Sequence, residues 1–367
     1  GRSQVAQIRG AVAVRPGTTA ALQATACSRL TRKRKRRRVD NWIALSDLNS
    51  PERSVDPDAL LGAGVFVMEL ALPLDGATIL LDYRADDGWH RTFAVFHDLA
   101  AGLVVMHRQG KSVSRHVLPG PLPVLSHDDS GTARLSFRFD ALQRRWDLCF
   151  EIVVVNGAAS PARVTSSGTN PLPMRLSDMM ALCGGNGLAH RAAPVLWFGV
   201  TKGAQPPGRA PWVGQRTAIS TSRGLVPAGH LKPGDRVHTV EDGLVPLLAV
   251  HRFDLPNRGS FAPVLLRSPF FGARQDLLVA SDQMIALSGV EVEYLFGEDE
   301  VLVEAGYMVD GRTALLDHRR AVTNSVSLDF GLPTLISADG CILMCPAAPQ
   351  VAAITQLPRR SLKDYEA

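Results

Sequence analysis

Between residues 65 and 155 the apolar positions fall into short runs with a period of two. The clearest run is 132–139, where Leu135, Phe137 and Phe139 alternate with Arg134, Ser136 and Arg138. In an extended strand that period sends the two sets to opposite faces, one buried and one wet. Residues 65–72, 77–84, 89–97, 102–108 and 145–155 read as further strands. Asp86-Asp87-Gly88, Asp129-Ser130-Gly131 and Asn156-Gly157 are turn signals. Strands this short and this regularly spaced predict an antiparallel β-sandwich over residues 59–205, by analogy a lectin-like jelly roll. One short helix is expected at 174–183, stopped by Gly184-Gly185. The apolar run 195–200 reads as a buried strand that closes the sandwich.

Residues 201–211 hold Gly203, Pro206, Pro207, Gly208 and Pro211, a linker composition, and the domain boundary is placed there. Beyond it the pattern is again β. Ile219 sits in a short strand, and Ser222 to Gly224 turn the chain. Leu225, Val226 and Leu231 are apolar anchors. Pro233-Gly234-Asp235 is a tight turn: Pro fixes φ, Gly accepts positive φ and Asp bonds its own backbone. Residues 237–240 and 244–250 flank the hairpin signal Glu241-Asp242-Gly243. A weak echo links Asp242-Gly243 with Leu247-Leu248 and His251-Arg252 to Asp310-Gly311 with Leu315-Leu316 and His318-Arg319. The expected fold class is therefore all-β, with a second β domain at 206–345 and a polar tail at 346–367.

Composition changes this picture in one place. The chain has 367 residues, enough for two domains, and is 46% hydrophobic. Its net charge is +5, yet residues 29–38 alone carry eight Lys and Arg and no acid. Removing those eight charges turns +5 into −3, so the body is mildly acidic. Residues 1–58 are expected to form a disordered tail. Any nucleic-acid binding is assigned to Arg32, Lys33, Arg34, Lys35, Arg36, Arg37 and Arg38. No apolar run has transmembrane length, and no hydrophobic segment follows the arginines as an export signal requires. The compartment stays open between a bacterial cytoplasm and secretion without an N-terminal signal. Five cysteines, Cys27, Cys149, Cys183, Cys341 and Cys345, show no CxxC spacing and read as reduced thiols.

The order strand, turn glycine, apolar pair, Leu-x-Pro-Gly-Asp-x-Val is here Ile219, Gly224, Val226, then Leu231, Pro233, Gly234, Asp235 and Val237. It resembles the opening of Hint (hedgehog/intein) domains, in the bacterial form that follows a separate N-terminal module. The resemblance implies an all-β fold with pseudo-two-fold character and a self-processing activity. That activity begins with a Cys or Ser at the first position attacking the preceding carbonyl. A His in a Ser/Thr-x-x-His motif then protonates the leaving nitrogen. The resemblance places Trp212 at the attacking position; counting from Gly214 gives Ala210 instead. Ser281 opens the second motif, and Met284 stands where His is expected. Indole and methyl side chains cannot attack a carbonyl, and a thioether carries no proton. No His-Asn pair occurs between Cys341 and Cys345.

These departures point to a splicing-inactive member acting as an attachment or interaction module. The rival is self-cleavage with a displaced nucleophile. Hydroxyls at Thr217, Ser220 and Thr221 and imidazoles at His230, His238, His251 and His318 are the available substitutes. Trp89, Trp146 and Trp197 would stack on a sugar if the sandwich binds glycan, though large rings in strands are usually core. Asp86 and Asp87 suit a turn better than Ca²⁺, and Asp282 has no second metal ligand at a useful spacing. No cofactor is expected. If Trp212 and Met284 fill a lost active site, they should be buried neighbours.

Overall fold

A computed structural model describes residues 42–48, 56, 58–74, 76–123, 130–156, 162–184, 189–202, 208–346, 358–363 and 366. The basic run at 29–38, Cys27, Asp129 and Gly157 lie outside the described residues. The chain from Asp40 onward forms one compact unit.

The N-terminal half is a sandwich of two antiparallel sheets. Its first strands are β1 (Trp42–Leu45), β2 (Leu60–Leu61), β3 (Ala63–Leu72), β4 (Thr78–Ala85) and β5 (Arg91–Asp98). Then come β6 (Gly102–Gln109), β7 (Ser112–Leu118), β8 (Ser130–Asp140), β9 (Arg145–Asn156) and β10 (Arg163–Thr169). After β11 (Met174–Arg175) follow helix α1 (Leu176–Cys183), β12 (Ala189–Arg191) and β13 (Val195–Thr201). One sheet has the order β1-β13-β3-β8-β9-β10, and the other β12-β4-β5-β6-β7. Phe66, Met68, Phe137 and Phe150 from the first sheet meet Phe93, Val95 and Val105 from the second in one core. The predicted period holds on β8, where Leu135, Phe137 and Phe139 are buried and Arg138 is exposed. β1 falls within the stretch read as tail; it pairs with β13. β7 and β10 were not foreseen, because Ser112 to Leu118 and Arg163 to Thr169 are polar and half-wet.

Strand β3 is buried on both faces. Phe66, Met68 and Leu70 point into the sandwich core. Val65 and Val67 point the other way, into a separate cluster with Trp212, Leu255, Phe261 and Ala280. A strand covered on two sides reads as a continuous apolar run, and 65–68 is Val-Phe-Val-Met.

The C-terminal half begins with β14 (Val213–Gly214), β15 (Ala218–Thr221), β16 (Gly224–Pro227), β17 (Arg236–Thr239) and β18 (Gly243–Pro246). It continues with β19 (Ala249–Pro256), β20 (Val264–Leu266), β21 (Leu277–Val279) and β22 (Met284–Ser288). Helix α2 (Val290–Phe296) leads to β23 (Glu300–Glu304), β24 (Ala314–Leu316), β25 (Val322–Asp329), β26 (Thr334–Ala338), β27 (Cys341–Cys345) and β28 (Arg360–Ser361). β19-β25-β14-β21-β20-β24 form one sheet. The second runs β16-β15-β17-β26-β27-β22-β23-β28, with β18 on β17. Among the described residues all its pairs are antiparallel except β23 with β28. Val213, Ile219, Leu231, Val264, Ile285 and Leu343 share its own core. The protein is all-β, and among the described residues no helix is long and apolar enough to cross a membrane. The internal echo does not describe two like hairpins. Asp242-Gly243 closes β17 onto β18, whereas the turn at Asp310 leads into β24, which pairs with the distant β20.

Candidate functional site

The turn that opens the C-terminal half is built by its own backbone. Gly234 takes φ +91°, a conformation that a side chain would strain. Asp235 accepts a hydrogen bond from the Lys232 N–H (2.8 Å) and another from Arg223 (3.0 Å). The Gly234 N–H donates to the Leu247 carbonyl (2.8 Å), and Leu247 N–H returns a bond to Asp235 (2.9 Å). These bonds fix the hairpin of β17 and β18 against the core.

Trp212 precedes β14 and is 3% exposed. Its carbonyl accepts from the Ala280 N–H (3.0 Å), and Val213 pairs with both Val279 and Val326. The segment is thus stitched into the middle of a sheet. The Trp212 side chain packs with Leu45, Val65, Val67 and Trp197 of the sandwich and with Leu255, Phe261 and Ala280. It offers no lone pair to a neighbouring carbonyl.

Met284 is not beside it. Met284 is half-buried on another face of β22, with Leu302, Leu335 and Met344. The Ser361 hydroxyl lies 4.0 Å from its sulfur. Strand alternation explains the separation: Met284 and Ile285 point to opposite sides of β22. The residue that does face the Pro211–Trp212 segment is Gln283, and both line one small cavity together with Cys345. Gln283 is 3% exposed; its amide donates to the carbonyls of Met344 (2.8 Å) and Met284 (3.0 Å). An amide can hold a backbone in place but cannot shuttle a proton. Sequence reasoning missed Gln283 because the motif count was anchored on Ser281. A one-residue slip in a strand moves every side chain to the other face.

Ser281 turns towards the short 3-10 turn after β23: its carbonyl accepts from Gly306 N–H (2.8 Å), and its hydroxyl fills the space where a Gly306 side chain would stand. Asp282 and Glu304 lie close enough to repel each other. Burial raises both carboxyl pKa values, and the Arg209 guanidinium partly offsets it. Among the described residues no group of three acids, His or Cys is arranged to hold a metal.

Of the remaining candidates, Thr217 is buried with its hydroxyl beside Gly214 on β14. Thr221 donates to the Gly224 carbonyl (2.8 Å) and accepts from Arg223 N–H, which closes its own turn. His230, His238 and His318 are exposed; His318 Nδ1 lies 3.0 Å from the Asn257 carbonyl. The two thiols of β27 are buried, and burial pushes both up to about 12. Asp329 adds to the effect at Cys345. Neither is a thiolate at neutral pH, which is the form that attacks.

In the sandwich, Trp146 and Trp197 are core residues and Trp89 is partly exposed at the turn before β5. Arg91 stacks on Trp89 at 5.6 Å and forms a buried pair with Asp178 at 2.9 Å. Asp87 is held by Arg91, and Asp86 by His90, so both acids serve side chains of their own turn.

A two-sheet sandwich followed by an all-β body with a Pro-Gly-Asp hairpin at its entrance defines a modular β protein. Residues 214–343 match the family model for the Hint domain, so that stretch of the chain is a Hint domain. No curated protein matches the chain. Similar solved structures include the CBM40 of Ruminococcus gnavus IT-sialidase, bound to α2,6-sialyllactose. It is 13% identical, with a TM-score of 0.27, covering 40% of this chain and 79% of that one. The leech intramolecular trans-sialidase, complexed with 2,7-anhydro-Neu5Ac, is 11% identical with a TM-score of 0.24, over 57% of this chain and 40% of that one. Mouse laminin α1 chain domains LG4-5 are 11% identical with a TM-score of 0.21, over 84% and 76%.

Proposed function

We propose that this is a Hint-domain protein whose C-terminal half has lost the acyl-shift chemistry and serves as an attachment and interaction module. In this reading residues 59–205 are the recognition domain, for a protein or glycan partner, and residues 206–345 carry it. The observation that supports it best is Trp212. The resemblance assigns the attacking position to Trp212, and there the indole is buried in an apolar cluster. Gln283, which cannot relay a proton, faces the same segment. Cys345, which lines the same cavity, is kept protonated by burial. Arg32, Lys33, Arg34, Lys35, Arg36, Arg37 and Arg38 remain the only proposed contact to nucleic acid, because the rest of the chain is net acidic.

Intact-mass measurement tests this. The purified chain should keep its full mass after incubation with dithiothreitol or hydroxylamine, either of which cleaves a thioester or ester. A pair of fragments meeting near Pro211 would establish self-cleavage and overturn the inactive reading.

A further inference from the structure

Glu69 on β3 has no solvent exposure, and it points away from the sandwich core. Its carboxylate accepts five hydrogen bonds. Arg134 donates through Nε (2.9 Å) and Nη2 (2.7 Å), and Trp197 through Nε1 (2.9 Å). Those donors belong to the sandwich. The other two come from Ser260 in the C-terminal half, through its backbone N–H (2.8 Å) and its hydroxyl (2.6 Å). The Ser260 hydroxyl in turn accepts from Arg134 (2.8 Å). The neighbours of Ser260 complete the fit. The Phe261 ring lies 5.1 Å from the Arg134 guanidinium and 5.6 Å from the Trp197 ring. Gly259 holds φ +62° so close to Glu69 that any side chain there would overlap Oε2.

A buried carboxylate is costly unless its acceptor sites are filled. The sandwich alone supplies the three donors from Arg134 and Trp197; the turn at 259–261 supplies the rest. Around this polar centre lie Val65, Val67 and Trp197 on one side and Trp212, Leu255 and Phe261 on the other. Trp42 adds a hydrogen bond from Nε1 to the Asp254 carbonyl (3.0 Å). Apolar cover around a satisfied, desolvated charge is the organisation of a tight protein interface.

We infer that the 259–261 turn and Trp212 form a permanent dock for the outer face of the sandwich, which holds the two halves together without the peptide connection. The occupant is the β1-β13-β3 face of this same chain. That face is closed to outside ligands, and only the remaining surface of the sandwich is free for recognition. If the connecting segment were cut, both pieces would stay in one complex.

The test uses the full chain with a site-specific protease sequence placed between Lys202 and Gly208. After cutting, native mass spectrometry and gel filtration at about 1 μM should find one complex of both halves, since a dock of this kind should hold well below that concentration. Two separate species would overturn the inference. The same cut in a Ser260→Ala, Phe261→Ala chain should raise the dissociation constant about a hundredfold. Equal retention by that variant would show that the turn is not what holds the halves. Far-UV circular dichroism of the uncut variant checks its fold. If it misfolds, Phe261→Leu replaces it, with about a tenfold rise expected and no rise counting against the dock. The engineered cut is independent of any self-cleavage, so this result and the mass result fail separately.

Discussion

Gln283 spends both hydrogens of its amide on backbone carbonyls, one of them on the neighbouring strand β27. The bond to Met344 is buried, so an apolar replacement removes a hydrogen bond that joins β27 to the segment before β22. Gln283→Leu should therefore destabilise the protein by about 1–3 kcal/mol, read from urea unfolding. A cost near zero would mean that the amide does not position β22 against β27. Met284→Leu, on the other face of the same strand, is a volume-conserving change and should cost less than about 1.5 kcal/mol. The contrast between adjacent residues measures which of them faces the Trp212 segment. Asp282 and Gln283 were equally visible in the sequence; only the burial of one side chain beside residues from three other segments distinguishes them.

At the scale of the element, two glycines with similar φ carry very different loads. Gly297 ends α2 with φ +66° and has nothing within reach of an added Cβ. Gly259 has φ +62° and lies against the Glu69 carboxylate and Leu196. Gly297→Ala should cost about 1 kcal/mol, the ordinary penalty for a left-handed residue. Gly259→Ala adds a steric clash with a buried charge and should cost several times more. Thermal unfolding of both variants checks the order, and equal losses would mean the turn relaxes freely. Strand β8 gives the same lesson in the other direction. Its period of two assigns Arg134 to solvent alongside Arg138. Arg138 is exposed, but Arg134 is 6% exposed, because the C-terminal half covers its end of the strand.

For the whole molecule, acid should be the weak direction. His107 on β6 and His116 on β7 are buried on one face of the smaller sandwich sheet. Among the described residues, both His116 ring nitrogens and His107 Nδ1 have no hydrogen-bond partner. His116 packs on Phe137 and Trp146, and His107 on Phe93 with Gln109 near Nε2. Burial lowers both pKa values to about 4, and for His107 the neighbouring His116 adds to it. The unfolded chain binds these protons near 6.5, so it holds more protons than the folded one between 4 and 6.5. Stability is then full above about 6.5 and falls as pH drops towards 4. The thermal midpoint should drop steeply across that window, and His116→Phe should flatten it. An unchanged slope in that variant would place the acid sensitivity elsewhere.

Local pattern was enough for the fold class. Alternation of apolar and polar side chains, and glycine-bearing turns, are short-range properties that the backbone geometry reads directly. The hairpin after Pro233-Gly234-Asp235 was legible for the same reason, since its bonds join residues only a few positions apart. Strands β1, β7 and β10 were not legible, because their polar or short sequences gain order from the partners they pair with. The candidate site was half legible. The Hint resemblance assigned the attacking position to Trp212, a residue with no nucleophilic atom. The tertiary structure decided that Gln283 rather than Met284 faces it, through a strand register that propensity cannot set. It also decided that Trp212 belongs to the contact between the halves. That assignment depends on Val65, Trp197 and Phe261, brought together across nearly two hundred positions of chain.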